Sequence, residues 1–103
     1  MITIGLFSEM KLYADNGSIQ EHIIDKVDYD KNMVIEYLSN QKRIAGCPKT
    51  VFDCITGEKI SDSFFVYNDG EYEWCDFLIY YIKKYNIALP KCFIDKIINK
   101  REK

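Results

Sequence analysis

The stretch from Asn68 to Ile98 reads NDGEYEWCDFLIYYIKKYNIALPKCFIDKII. It decides the fold. Asn68, Asp69 and Gly70 form a hairpin turn, because Asp-Gly tolerates the positive φ that tight turns need. Glu71 to Trp74 follows as a short strand with Tyr72 and Trp74 on one face and Glu71 and Glu73 on the other. Asp76 stands where a helix begins, its carboxylate suited to free amides and to the helix dipole. Phe77, Leu78, Tyr81, Ile82 and Tyr85 then repeat at helical spacing. Asn86 reads as a left-handed stop and Pro90 as a first helical residue. Phe93, Ile94, Ile97 and Ile98 make the stripe of a last helix, and the basic tail from Asn99 to Lys103 is expected to fray.

Upstream of the hairpin, Ser63 to Tyr67 is the clearest strand. Phe64, Phe65, Val66 and Tyr67 are apolar on both faces, as in a strand covered from two sides. Val51 to Ile55 reads as another strand, closed by a turn at Thr56-Gly57, and Lys42 to Ala45 as a third, with Pro48 breaking the run between them. Nearer the N-terminus, Asp28 or Asp30 can cap a helix whose stripe is Met33, Val34, Tyr37 and Leu38. Ser18 and Glu21 have the spacing of a capping box, which predicts a short helix from Ile19 to about Lys26. Asp15, Asn16 and Gly17 form a turn before it, and the apolar run Met1 to Phe7 could be a short strand. Helices, then strands, then helices predict a single α+β domain over residues 1–103. Its expected core is a small antiparallel sheet of about four to five strands with about four helices.

A chain of 103 residues can bury a core without staples. Its net charge of −2 argues against nucleic acid or a membrane surface as partner. Met1 to Lys11 lacks the pattern of a signal peptide, so the expected location is the cytoplasm. Cys47, Cys54, Cys75 and Cys92 contain no C-x-x-C pair, and His22 is the only histidine. Reduced structural thiols fit that spacing better than a metal site, so no metal and no cofactor is expected. His22 lies on an apolar stripe without a nucleophile motif beside it, and the five glycines are isolated, so no phosphate loop is present.

The charges are segregated. Residues 53–76 hold one lysine against Asp53, Glu58, Asp62, Asp69, Glu71, Glu73 and Asp76, a net of −6, whereas residues 77–103 carry a net of +5. One reading is a solvated sheet face partly neutralised by the helix lysines. The other is an acidic platform for a basic protein, with Asp53, Glu58, Asp62, Asp69, Glu71 and Glu73 as the contact residues. The Glu71–Glu73 pair could in principle do acid–base work if one carboxyl were desolvated.

Five segments carry a resemblance, in this order: VIEYLSNQKRIAG from Val34, D-x-x-TGE from Asp53 to Glu58, NDGEYEW from Asn68, DFLIYYIKKYNIALP from Asp76, and FIDKI from Phe93. Over about the last three quarters of its length the chain resembles small bacterial immunity proteins of polymorphic-toxin and contact-dependent growth inhibition systems. Cys75 departs from the pattern, which has Pro after the Trp. The resemblance implies a cytoplasmic protein without a reaction of its own. Such a protein would bind a cognate toxin's C-terminal catalytic domain, a basic nuclease, as a monomer in a 1:1 complex. The acidic block would then occlude the nuclease's cleft. A generic adaptor or homodimer, and a small enzyme using a Cys thiolate or the Glu pair, remain as alternatives.

Overall fold

The 64–75 hairpin lies at the centre of the computed structural model, which describes residues 1–101. In chain order the elements are β1 (Ile2–Thr3), two single 3-10 turns (Ser8–Met10 and Ile19–Glu21), α1 (Lys31–Ser39), β2 (Lys42–Cys47), β3 (Val51–Phe52), β4 (Lys59–Ser61), β5 (Phe64–Asn68), β6 (Tyr72–Cys75), α2 (Leu78–Lys84) and α3 (Lys91–Arg101). The main sheet has the order β1-β6-β5-β2, and β3 and β4 form a separate two-stranded ribbon. The α+β class is as expected. The sheet is mixed rather than antiparallel, because β1 pairs parallel with β6.

Alternation along the two central strands sorts their side chains between two cores. Tyr72 and Trp74 enter one, with Val34 and Leu38 of α1 and Phe93 and Ile97 of α3. Phe64 and Cys75 enter the other, with Leu6, Phe7, Ile19 and Ile87. Helix α2 divides them: Leu78 and Ile82 face the first core, Tyr81 the second. Phe93 is the hub of the first, its ring 4.9 Å from Tyr72 and 5.7 Å from Trp74. Trp74 is fully buried, so truncating it to Ala would cost about 3–5 kcal/mol. Along β5, Phe64 and Val66 face the second core and Tyr67 the first, while Phe65 lies under the Arg43 guanidinium.

Several local expectations give way to tertiary bonds. Three α-helices form among the described residues, where about four were expected. The predicted helix over 19–26 is one 3-10 turn, because the chain beyond it bonds to the α2–α3 connection instead. His22 O accepts from Ala88 N at 2.7 Å, and Ile24 N donates to Asn86 O at 2.9 Å. Glu21 does not close a capping box. Glu9 does the work from outside, its carboxylate accepting from Ser18 Oγ at 2.6 Å and from Ile19 N at 2.9 Å. Asp30 caps α1 as expected, accepting from Met33 N at 3.2 Å.

Helix α2 starts two residues after Asp76. That residue contributes its main-chain carbonyl to Ile79 N, while its own N–H donates to Phe65 O. Tyr85, in an extended conformation, ends α2, so Asn86 is not left-handed. Pro90 precedes α3 by one position and its carbonyl accepts the first helical bonds, from Phe93 and Ile94. Of the basic tail, Asn99 to Arg101 continues α3, and Glu102 and Lys103 lie outside the described residues.

Candidate protein-binding site

Asp53 begins an Asx turn. Its Oδ1 accepts from Ile55 N at 2.8 Å and Thr56 N at 3.2 Å, which stops β3 at Phe52 instead of Ile55. Gly57 closes the turn at φ +79°, a conformation that favours glycine, and Asp53 N donates to Glu58 O at 2.7 Å. The chain then returns as β4, which sequence reasoning did not anticipate. On the other side of the carboxylate, Oδ2 accepts from Tyr80 at 2.7 Å and Tyr85 at 2.8 Å, and Lys84 Nζ lies 3.5 Å away. Asp53 is 1% exposed. Burial pushes its carboxyl up, yet the two amides and two hydroxyls outweigh burial and bring the pKa down from 3.8 to about 2.

Asp69 repeats the device at the β5–β6 turn. Its Oδ1 accepts from Glu71 N at 2.9 Å and Tyr72 N at 2.7 Å; its Oδ2 takes the Tyr37 hydroxyl at 2.6 Å and Lys96 Nζ at 3.1 Å. Its carboxyl, too, is raised by burial but held at about 2 by those donors. In both places tyrosine and lysine fasten a turn aspartate to the helical layer, at Asp53 from α2 and the Tyr85 that ends it, at Asp69 from α1 (Tyr37) and α3 (Lys96). The lysine also faces an exposed glutamate: Lys84 lies 3.9 Å from Glu58, and Lys96 lies 3.0 Å from Glu71.

The six acids expected to form one binding surface therefore do two jobs. Asp53 and Asp69 have buried carboxylates that fasten turns and cannot be reached by a partner without breaking the turns. Glu58, Asp62 and Glu71 are exposed, although each has a lysine within ion-pair distance, Lys59 in the case of Asp62. Glu73 is half-buried and accepts from Thr3 Oγ1 at 3.1 Å. Glu71 and Glu73 are thus held by different partners, Lys96 and Thr3. Two cations of the C-terminal helices reach into the acidic block, Lys84 to Asp53 and Glu58 and Lys96 to Asp69 and Glu71.

What the sequence reading missed is apolar. Phe52 is 54% exposed on β3, and Ile55 stands exposed on the turn beyond it. Phe52 also forms the lip of a cleft of about 250 Å³ between the ribbon and residues 9–12, walled by Met10, Leu12 and Val51 and floored by Phe77 and Tyr81. The signal was present in D-x-x-TGE: an Asx turn there ends the strand after Phe52 and makes the ribbon too short to bury it. The partners of Asp53 were also legible in part, since Tyr80 and Lys84 are four apart on one helix face.

Cys54 lines this cleft, and Cys75 lies in the core behind it. Burial pushes Cys54 up, and it pushes Cys75, beneath Tyr13, up to about 11. His22 packs its ring 4.8 Å from Phe7 and shares Nδ1 with Ser18 O at 2.9 Å. Among the described residues no group of three or more His, Cys, Asp or Glu is arranged to hold a metal ion, and no helix is long and apolar enough to cross a membrane. Searches against protein-family models, curated proteins and solved structures find no match to this chain.

Proposed function

We propose that this chain is an immunity-type inhibitor. In this reading it binds the catalytic domain of a cognate toxin, a nuclease with a basic cleft, in a 1:1 cytoplasmic complex and occludes the active site. The observation that carries the reading is the 51–61 ribbon. It presents exposed Phe52 and Ile55 beside exposed Glu58 and Asp62, and buried Asp53 fixes its turn to α2. An exposed aromatic on a pre-ordered turn suits a binding hot spot, because little conformational freedom is lost on docking. The acids around it would steer a basic partner and fix its register.

This narrows the contact set expected from sequence to Glu58, Asp62 and Glu71, with Phe52 and Ile55 added and with Asp53 and Asp69 as supports. An enzymatic reading is less well served. It needs an ionised thiol or a coupled carboxylate pair, and Cys54 and Cys75 are pushed away from the thiolate while Glu71 and Glu73 are held apart in their bonding.

The test is a calorimetric titration against the toxin domain encoded beside this chain. Wild-type protein is expected to bind at 1:1. Phe52→Ala should weaken binding by about 30-fold or more, on the order of 2 kcal/mol, with the melting transition nearly unchanged. Affinity that survives both Phe52→Ala and joint charge reversal at Glu58 and Asp62 would remove the ribbon from the interface. Absence of any binding would remove the function.

A further inference from the structure

The longest strand of the sheet has a free edge. β2 pairs antiparallel with β5 on one side, and the order β1-β6-β5-β2 leaves its other side open. Lys42 to Gly46 is exposed throughout. No turn or loop elsewhere in the described chain bonds to its backbone. Such a row of unpaired amides and carbonyls is a template for another strand.

Charge decides which strand fits. No Asp or Glu occurs between Tyr37 and Phe52, while Lys42, Arg43 and Lys49 are all exposed. Elsewhere Lys59, Lys84 and Lys96 each lie within ion-pair distance of a carboxylate; among the described residues Lys42, Arg43 and Lys49 have none so close, and the carboxylate that feels the Arg43 charge is Asp76, beyond ion-pair distance. Arg43 is moreover held in place. Its guanidinium carbon sits 3.9 Å from the Phe65 ring centroid, and Nη2 donates to the Tyr67 hydroxyl at 3.2 Å. A guanidinium seated over an aromatic ring and bonded to a hydroxyl is ordered before a partner's carboxylate arrives. Ile44, at the register shift between Arg43 and Ala45, is 44% exposed and offers an apolar anchor between the charges.

We propose that β2 takes an extended acidic segment of a partner protein as a fifth strand, main chain to main chain, with carboxylates meeting Lys42 and Arg43. A second copy of β2 is a poor occupant, because self-pairing would bring four cations and no carboxylate to one ladder, and charge on an edge discourages such pairing. The proposal rests on a basic surface, distinct in sign from the acidic ribbon, and stands whether or not the toxin reading does.

The experiment uses the full chain and two short synthetic peptides, one alternating glutamate with valine, the other lysine with valine. Backbone amide shifts and hydrogen exchange are followed during titration. The glutamate peptide should bind and slow exchange within Lys42 to Cys47, and the lysine peptide should not. Reversing Lys42 and Lys49 to Glu, two exposed side chains without a hydrogen bond or ion pair to the described chain, should weaken binding by about tenfold or more. Arg43→Lys, which keeps charge but loses the guanidinium's seat over Phe65, should weaken it further than its unchanged charge would suggest. The proposal is overturned by failure of the glutamate peptide to bind, by equal binding of the lysine peptide, or by protection outside β2. Sedimentation of the free chain as a dimer that protects β2 would also overturn it.

Discussion

Tyr85 donates to Asp53 Oδ2 at 2.8 Å across 32 positions of sequence. That bond and its neighbour from Tyr80 lock the 51–61 ribbon to the C-terminal end of α2, so a surface turn acquires the order of the core. Removing the carboxylate strands two hydroxyls and two amides. Asp53→Ala should therefore cost about 3 kcal/mol, against about 1 kcal/mol for Tyr85→Phe, which leaves Asp53 its other donors. Urea unfolding of the two variants checks this. A cost below about 0.5 kcal/mol for Asp53→Ala would mean that the ribbon is not fastened there.

The same two aspartates set the acid limit of the fold. Both carboxyls are depressed from 3.8 to about 2, so in that interval the unfolded chain binds more protons than the folded one. Their stabilisation is complete above the unfolded value and is lost as pH falls through the folded one. Each contributes about 2 kcal/mol at neutral pH, with most of the loss between pH 4 and pH 2. Stability measured across that window should fall steeply for the wild type. It should fall less steeply when Asp53 and Asp69 are both changed to Asn.

Two glycines separate strain from crowding. Gly70 has φ +96° and open space where a Cβ would go; Gly5 has φ +74°, and a Cβ there would lie 2.7 Å from Leu78 Cδ1 in the first core. Gly70→Ala should cost about 1 kcal/mol from backbone conformation alone. Gly5→Ala carries that cost and also forces a buried leucine to move, so it should be worse by about 1–3 kcal/mol. Equal costs would show that Leu78 yields freely.

Thiol chemistry should be graded by burial. Cys92 is exposed on α3, Cys47 and Cys54 are half-buried, and Cys75 is covered. With a disulfide reagent at neutral pH, Cys92 should react first and Cys75 only on unfolding. Rapid native-state modification of Cys75 would contradict the packing of Tyr13 over it at 3.7 Å.

The hairpin, the α1 stripe and the core residues Tyr72, Trp74, Leu78, Phe93 and Ile97 were legible because each rests on local periodicity and turn chemistry. The 19–26 segment was not. Its capping signal is real, but bonds to residues 86–88 outcompete the helix, and such long-range pairing leaves no local mark. The acidic block was legible as composition and misleading as geometry. Counting charges could not distinguish Asp53, which points inward to two tyrosines, from Glu58 five residues later, which points outward. Phe52 was hidden for the converse reason, since an aromatic in an apolar run reads as core until the turn that ends the strand is recognised.

The proposed partner-binding surface is the 51–61 ribbon held by Asp53. Hydrogen exchange of the chain with and without the proposed cognate toxin domain tests this most directly. Slowed exchange concentrated in residues 51–61 and the adjoining 9–12 segment is the expected result. A tight complex in which those residues exchange as fast as in the free protein would contradict it.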